Sequence, residues 1–426
     1  MPRKRVAFLL GSGVSLPFET EIPNEPKSIS TRGITKSLLR ENQWAGKDDA
    51  QKFILLLDKH VRPNLSAHEG NLLTYEDYYE YLSQILQYDS GEITNPLIAE
   101  TVKRIQVEWQ KFPSKGTDGT AVEALVERAM DFIKHVVREA LIPLTHEKLQ
   151  PKPLEDHLRL IADVSRQYGN IDVFTLNHDL LLEEYLRQKG VGCCDGFGVL
   201  QQTDGSCRYC DGFYDWDGDV TRFRFKNLFD SWDSAKEPFC RLIKLHGSIN
   251  WFYESPNGAP RISDRFIKLK PGQIQRFTDS SGKKIDYDEE QPLILSGTSL
   301  KEQEYGRNIF GAMFWKFRER LYQCDTLFCS GYGWADYGVN VCVDEWLFSA
   351  PGNRFVILHD LQEDDLRKKR FWEDKWTSYI DAKKLFHVNK WLCKCYWSDI
   401  QQYFVPCTGC RVQTQTCAAS TIAPQA

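Results

Sequence analysis

An imidazole and a carboxamide, each placed just after an apolar run, are the side chains in this chain best suited to chemistry on a sugar. His246 follows Arg241-Leu242-Ile243-Lys244-Leu245 and is backed by Gly247. A neutral imidazole there can take a proton from a ribose hydroxyl near pH 7. Asn177 lies in Thr175-Leu176-Asn177-His178-Asp179, directly after the apolar Ile171 to Phe174. Its amide both donates and accepts, which suits a ribose hydroxyl or a water held below an anomeric carbon. For Asp179 a helix N-cap competes with a role in the site, and for His178 core packing does. Two glycine-bearing segments complete the set. Gly11-Ser12-Gly13-Val14-Ser15 follows Val6 to Leu10, and Gly331-Tyr332-Gly333, with Asp336 and Asn340 beyond, follows Thr326 to Ser330. Glycine lets backbone come close to a phosphate, a helix amino terminus after the first loop would add partial positive charge, and Tyr332 or Trp334 can flank a ring. Each segment alone reads equally well as a turn. Together, at the carboxyl edges of strands, they describe a dinucleotide site.

Those edges require a particular set of elements. Strands are expected at Val6 to Leu10, Ile171 to Leu176, Leu242 to Leu245, Trp251 to Tyr253, Thr326 to Ser330 and Arg354 to His359, with Pro292 to Leu295 a further candidate. Helical spacing covers Ala50 to Val61, Tyr75 to Tyr88, Pro96 to Phe112, Ala121 to Leu141 and Leu154 to Tyr168, with Thr74 and Asp77 capping the second of these. It returns at Leu180 to Lys189, Tyr305 to Cys324 and Asn340 to Phe348, and in segments up to about Tyr403. Phe213 to Trp216 and Val220 to Phe225 flank Asp217-Gly218-Asp219 as a hairpin, and Gly258 to Gln291 reads as polar loop over the site. Alternating strands and helices give an α/β fold: a Rossmann-like, doubly wound parallel sheet with a large inserted α-helical bundle. The sheet domain is split into 1–20 and 169–405, the insertion is 21–168, and 406–426 reads as a disordered tail.

Composition narrows the class. The 426 residues are 42% hydrophobic and 27% charged with a net charge of -5, a normal balance for a folded soluble protein and not that of a cationic nucleic-acid binder. The apolar run Val6 to Leu10 is too short for a signal-peptide core, and no run approaches a bilayer span, so the chain reads as cytoplasmic, with no membrane partner. Thirteen cysteines without an export signal argue against a disulfide framework. Cys193, Cys194, Cys207 and Cys210, and separately Cys393, Cys395, Cys407 and Cys410, have spacings open to a structural zinc. Adjacent cysteines in the first cluster favour reduced thiols, and no metal ligand is assigned. No metal-carboxylate nuclease constellation stands out.

As a set, these motifs resemble the sirtuin family. Gly11-Ser12-Gly13-Val14-Ser15 is similar to its Gly-Ala-Gly-Ile-Ser loop, Thr175-Leu176-Asn177-His178-Asp179 to its Thr-Gln-Asn-Ile-Asp, and His246-Gly247 to its catalytic His-Gly. Gly331-Tyr332-Gly333 with Asp336, and Pro292-Leu293-Ile294-Leu295 before Gly297-Thr298, look like the bacterial, antiphage defence-associated branch. The match covers about half of the chain, as islands. The resemblance implies NAD as substrate, with Asn177 and His246 catalytic and Gly11, Ser12, Gly13, Ser15, Thr175, Asp179, Gly331, Tyr332, Asp336 and Asn340 binding it. The glycine loops would hold the pyrophosphate, and Asp336 and Asn340 the adenosine end. Deacylase sirtuins carry four zinc cysteines soon after the His-Gly, whereas here the next cysteine is Cys324, and their Phe-Gly-Glu segment is absent. The expectation is therefore an NAD glycohydrolase that depletes NAD during phage infection, as a homo-oligomer and with a hexameric DNA-translocating ATPase as a candidate partner. An NAD-dependent protein deacylase, a non-catalytic NAD or ADP-ribose sensor, and a nucleic-acid-processing subunit stay open as alternatives.

Overall fold

Five-residue runs such as Val6-Ala7-Phe8-Leu9-Leu10, apolar at every position, suit strands covered on both faces. The computed structural model describes residues 5–17, 29–40, 48–62, 73–89, 96–109, 122–142, 158–197, 220–224, 228–229, 239–253, 265–269, 292–297, 300–368 and 371–404. Among these the strands are β1 (Val6–Leu10), β2 (Asn170–Thr175), β3 (Gly192–Cys194), β4 (Val220–Arg224), β5 (Phe239–Lys244), β6 (Trp251–Tyr253), β7 (Arg265–Leu269), β8 (Thr326–Ser330), β9 (Arg354–Leu358) and β10 (Leu385–Val388). Seven form one sheet in the order β10-β9-β8-β1-β2-β5-β3, with every pairing parallel. From β1 the chain goes to β2, then to the edge strand β3 and back to β5 between them, and later crosses to β8 on the other side of β1. The strand order thus reverses at β1, and its carboxyl edge is the switch point where ligands bind in such sheets. Register levels the ends: Leu10 pairs with Thr175 and with Ser330, and Thr175 pairs with Lys244.

Alternation along β1 divides the core. Val6, Phe8 and Leu10 face one apolar layer, and Ala7 and Leu9 face the other. The first layer is covered by the helices Arg159–Tyr168 and Leu181–Gln188 and is continuous with the interior of the helical insertion, through residues such as Phe53, Tyr78, Phe132 and Val136. The helices Asn308–Leu321 and Tyr337–Ser349 cover the second. Helices on both faces make the sheet doubly wound, with a Rossmann-like architecture. The insertion contributes the helices Thr31–Leu39, Asp48–Val61, Tyr75–Asp89, Pro96–Trp109 and Val122–Leu141. Thr74 starts the third as expected, its backbone N–H and hydroxyl both donating to Asp77 Oδ2 at 2.7 Å.

Several elements differ from the sequence reading. Thr31–Leu39 is an additional helix, started by Ser30 Oγ accepting from Gly33 N at 3.0 Å. Within the expected polar loop, Arg265–Leu269 is a strand that pairs with Val220–Arg224 and with Trp251–Tyr253 in a three-stranded antiparallel sheet; the other arm of the expected hairpin, Phe213 to Trp216, lies outside the described residues. In the strand Phe266, Ile267 and Leu269 are buried, a gain that local polarity around them conceals. Pro292 to Leu295 makes a single bridge, Gly247 to Ile294, instead of a strand. Leu385–Val388 is a seventh sheet strand inside a stretch read as helical. The Tyr305 to Cys324 helix is present as the shorter Asn308–Leu321, and a separate short helix, Leu300–Glu304, precedes it. Residues 213–219 and 406–426 lie outside the described residues. No helix among the described residues is long and apolar enough to cross a membrane.

Candidate active site

The two glycine loops are packed against each other. Gly11 N donates to Ser330 O at 3.0 Å and Gly13 N to Gly331 O at 2.9 Å. A Cβ on Gly11 would lie 2.5 Å from Gly331 O, and one on Gly331, whose φ is +66°, would lie 2.4 Å from Val14 N. These glycines therefore serve close approach of one backbone to another. Val14 N and Ser15 N are also engaged, with Gly11 O and Ser12 O. Of the amides expected to cradle a phosphate, those of Gly11 and Gly13 already have carbonyl partners. Among the described residues the first loop leads into a three-residue 3-10 turn, Ser12–Val14, too short to supply an α-helical dipole.

Beyond β2, a short hydrogen-bond chain fixes the orientation of Asn177. Ser15 Oγ donates to Asp179 Oδ2 at 2.6 Å, so its remaining lone pair accepts Asn177 Nδ2 at 3.0 Å. The amide oxygen must then point away from Ser15, and Asn177 Oδ1 is buried without a partner. Asp179 Oδ1 also accepts Leu181 N at 3.1 Å in a turn two residues long, but the N-cap of the helix that follows is Leu180, which has no side-chain cap, so the N-cap reading of Asp179 is corrected. Thr175 Oγ1 accepts Asn177 N at 3.1 Å and shapes the turn.

His246 sits just past β5 and is 4% exposed. Its Nε2 lies 2.8 Å from Asp336 Oδ2 and 2.9 Å from Tyr305 Oη, while the Tyr305 hydroxyl donates to the same Asp336 oxygen at 2.6 Å. An ionised carboxylate only accepts and the phenol proton is already committed, so Nε2 must carry the ring proton and Nδ1 is left as a bare base. Burial pushes the His246 imidazole below its ordinary value, and the Lys301 ammonium adds to this; Asp336 opposes both without reversing them. Burial also works against ionisation of Asp336, but the hydrogen bond and charge of His246, with Lys301 and the Tyr305 hydroxyl, hold its carboxyl far below the usual range. The same burial and the Asp336 charge keep Tyr305 protonated. Near neutral pH the arrangement is a neutral imidazole oriented by a carboxylate.

Asp336 is itself anchored, its Oδ1 accepting Val339 N at 3.0 Å to start the helix Tyr337–Ser349. The turn before it is braced internally. Tyr332 Oη has two acceptors within reach for its one proton, Asp336 O at 3.0 Å and Asn340 Oδ1 at 2.9 Å, and Asn340 Nδ2 donates to Trp334 O at 2.9 Å. Both ends of the Asn340 amide are thus engaged in holding Trp334 at its left-handed φ of 63°. Asn340, expected at the adenosine end, is thus engaged within this turn, and Asp336 lies against His246.

A cleft of about 800 Å³ opens over these strand ends. Its floor includes Ser15, Asn177, His178, Asp179, His246 and Asp336, so the residues expected to be catalytic meet there. Gly11, Ser12 and Tyr332 also border it, whereas Gly13, Thr175, Gly331 and Asn340 act behind it. The opposite wall comes from the insertion, through Arg32, Glu76, Asp77 and Tyr81. Glu76 reaches Lys301 with both carboxylate oxygens at 3.1 Å, tying the insertion to the sheet domain across the cleft. Sequence reasoning missed Tyr305, Lys301 and Glu76. No local pattern marks them, because each is defined by a partner 31 or more residues away.

Among the described residues no group of His, Cys, Asp and Glu is placed to hold a metal ion. Cys193, Cys194, Cys393 and Cys395 are not in disulfides, and Cys207, Cys210, Cys407 and Cys410 lie outside the described residues. Neither a protein-family model nor a curated protein matches this sequence.

Proposed function

We propose that this protein is an NAD glycohydrolase, converting NAD and water to nicotinamide and ADP-ribose. The observation that carries the reading is His246: a buried, neutral imidazole whose Nε2–H is held by Asp336 and Tyr305, in one cleft with Asn177 at the switch point of a parallel sheet. The cleft's volume lies within the roughly 300–1,000 Å³ usual for small-molecule sites. Its orphaned amide oxygen on Asn177 fits a ligand rich in hydroxyl and amide donors.

In this reading the bond from the ribose anomeric carbon to the nicotinamide ring breaks, and its electron pair neutralises the ring nitrogen. The sugar passes through an oxocarbenium-like state and the oxygen of water bonds to the anomeric carbon. His246 Nδ1 takes the proton by way of a ribose hydroxyl. Asn177 Oδ1 accepts from the incoming water or from the ribose, held in that direction by Ser15 and Asp179. Asp336 and Tyr305 keep His246 in the right tautomer, and Asp336 stabilises the imidazolium as it forms. The pyrophosphate is assigned to the side of the cleft lined by Arg32, beside the glycine loops.

Purified protein incubated with NAD should release nicotinamide without an added peptide, and His246→Ala and Asn177→Ala should abolish release in protein that stays folded by circular dichroism. Unaltered turnover in both variants refutes the assignment. Release only with an acetylated peptide identifies a deacylase, and tight binding of NAD without turnover identifies a sensor. The resemblance to antiphage sirtuin-like NADases supports NAD depletion during infection as the biological role, with self-association and an ATPase partner to be tested by size-exclusion and co-purification.

A further inference from the structure

A short helix joins the insertion to the reactive residues. Glu76, in the first turn of the helix Tyr75–Asp89, accepts Lys301 Nζ with both carboxylate oxygens at 3.1 Å. Lys301 is 5% exposed, so solvent screens the pair poorly. Both residues line the cleft that holds His246. Further along the same insertion helix, Gln87 Nε2 reaches Gln303 Oε1 at 3.4 Å, a second touch on the short helix Leu300–Glu304. One turn carries that helix into the site. Tyr305 N donates to Lys301 O at 2.9 Å, and the Tyr305 hydroxyl meets His246 and Asp336.

We infer that Glu76 is a positioning residue for the reaction. By holding Lys301 it fixes the turn that carries Tyr305, and it balances a buried ammonium in the cleft of the catalytic imidazole. The inference rests on the hydrolase reading and makes docking of the insertion part of the active site.

The direction of the effect follows from the charges around His246. Among the described residues these are Tyr305, Asp336 at the start of the helix Tyr337–Ser349, Lys301, Glu76, and the His178 ring 6.1 Å away beyond β2. Arg32 and Asp77 stand on the insertion wall, where Asp77 is committed to Thr74. Burial and the Lys301 ammonium weaken His246 as a base, while Asp336 and Glu76 strengthen it. Removing Glu76 alone therefore leaves a poorer base that loses its proton at lower pH.

The test follows nicotinamide release against pH, and the His246 ring by NMR titration with isotope-labelled histidine. It compares the wild type, Glu76→Gln, Lys301→Gln, the double variant, and the exchange of Glu76→Lys with Lys301→Glu. Glu76→Gln should lower kcat by about 2–150-fold, the range for coupled neighbours in one ion-pair network. Its acid limb, and the His246 titration, should move to lower pH. In the Lys301→Gln background the same change should cost much less, because the ammonium that Glu76 restrains is gone. The exchanged pair keeps the attraction, and so the fold, if Glu76→Gln proves unstable. With a carboxylate now at position 301, its acid limb should move above that of the wild type. A Glu76→Gln kcat within about twofold of wild type overturns the inference. Equal losses in both backgrounds, or unmoved limbs in both Glu76→Gln and the exchanged pair, overturn it as well. His246 shifts without nicotinamide release in any variant defeat the hydrolase and leave the tie to the insertion. Release with neither rate nor titration altered does the reverse.

Discussion

Replacing Asp336 by Asn tests the chemistry with the smallest change of shape. One carboxylate oxygen accepts Val339 N at 3.0 Å, and the other accepts from His246 Nε2 at 2.8 Å and Tyr305 Oη at 2.6 Å. An amide has one acceptor oxygen. If that oxygen stays at the helix start, the amide NH₂ faces His246, and two N–H groups cannot share a hydrogen bond. The ring relieves the conflict by moving its proton to Nδ1, where the base is needed. General-base assistance is worth about 10²–10⁴-fold, and a carboxylate-to-amide change that traps the wrong tautomer in a Ser-His-Asp triad costs about 10⁴ in kcat. Asp336→Asn should therefore lower nicotinamide release by about 10²–10⁴-fold, equal to ~3–5 kcal/mol of barrier, while KM for NAD changes little. Loss of charge-assisted bonds should also lower stability by ~1–3 kcal/mol, measured by urea unfolding. Because Asp336 raises the His246 pKa, the acid limb of kcat against pH should move to lower pH even as the plateau falls. A variant within threefold of wild type, or one with normal kcat and weakened NAD binding, would refute the tautomer argument.

Other consequences can be measured separately. Lys301 depresses the His246 pKa, so Lys301→Gln should move the acid limb of kcat/KM to higher pH; a shift in the opposite direction would contradict the placement of that charge. His246 and His178 are both held below 6.5 in the fold. The unfolded chain therefore takes up protons first as the pH falls below 6.5, and stability should decline from there downward, more shallowly in His178→Leu, as followed by unfolding between pH 7 and pH 5. Asp172 in β2 receives Arg241 at 2.8 Å and Arg320 at 2.9 Å, and it is 1% exposed. Asp172→Ala leaves two largely buried guanidinium groups unpaired and should cost about 3–5 kcal/mol in denaturant unfolding, where a change under 1 kcal/mol would show that the trio is dispensable.

Local patterning in the chain was enough to establish which strands matter, their order along the sequence, and the motif just past each one. Apolar period, glycine and helix-start chemistry act over a few residues, and they set Gly11, Asn177, His246 and Gly331 at the ends of β1, β2, β5 and β8. The short strands Arg265–Leu269 and Leu385–Val388 were not readable this way, because a few residues become a strand only when a neighbouring ladder accepts them. The duty of each motif came from the assembled fold. Packing turned the glycines of two loops against each other, left their amides with carbonyl partners, and joined Asp336 to His246 across 90 residues of chain. It also brought an insertion helix over the cleft to meet Lys301. Composition and spacing say which groups a chain can offer. Which acceptor a buried proton finds depends on what the fold desolvates together, and that is a property of long-range packing.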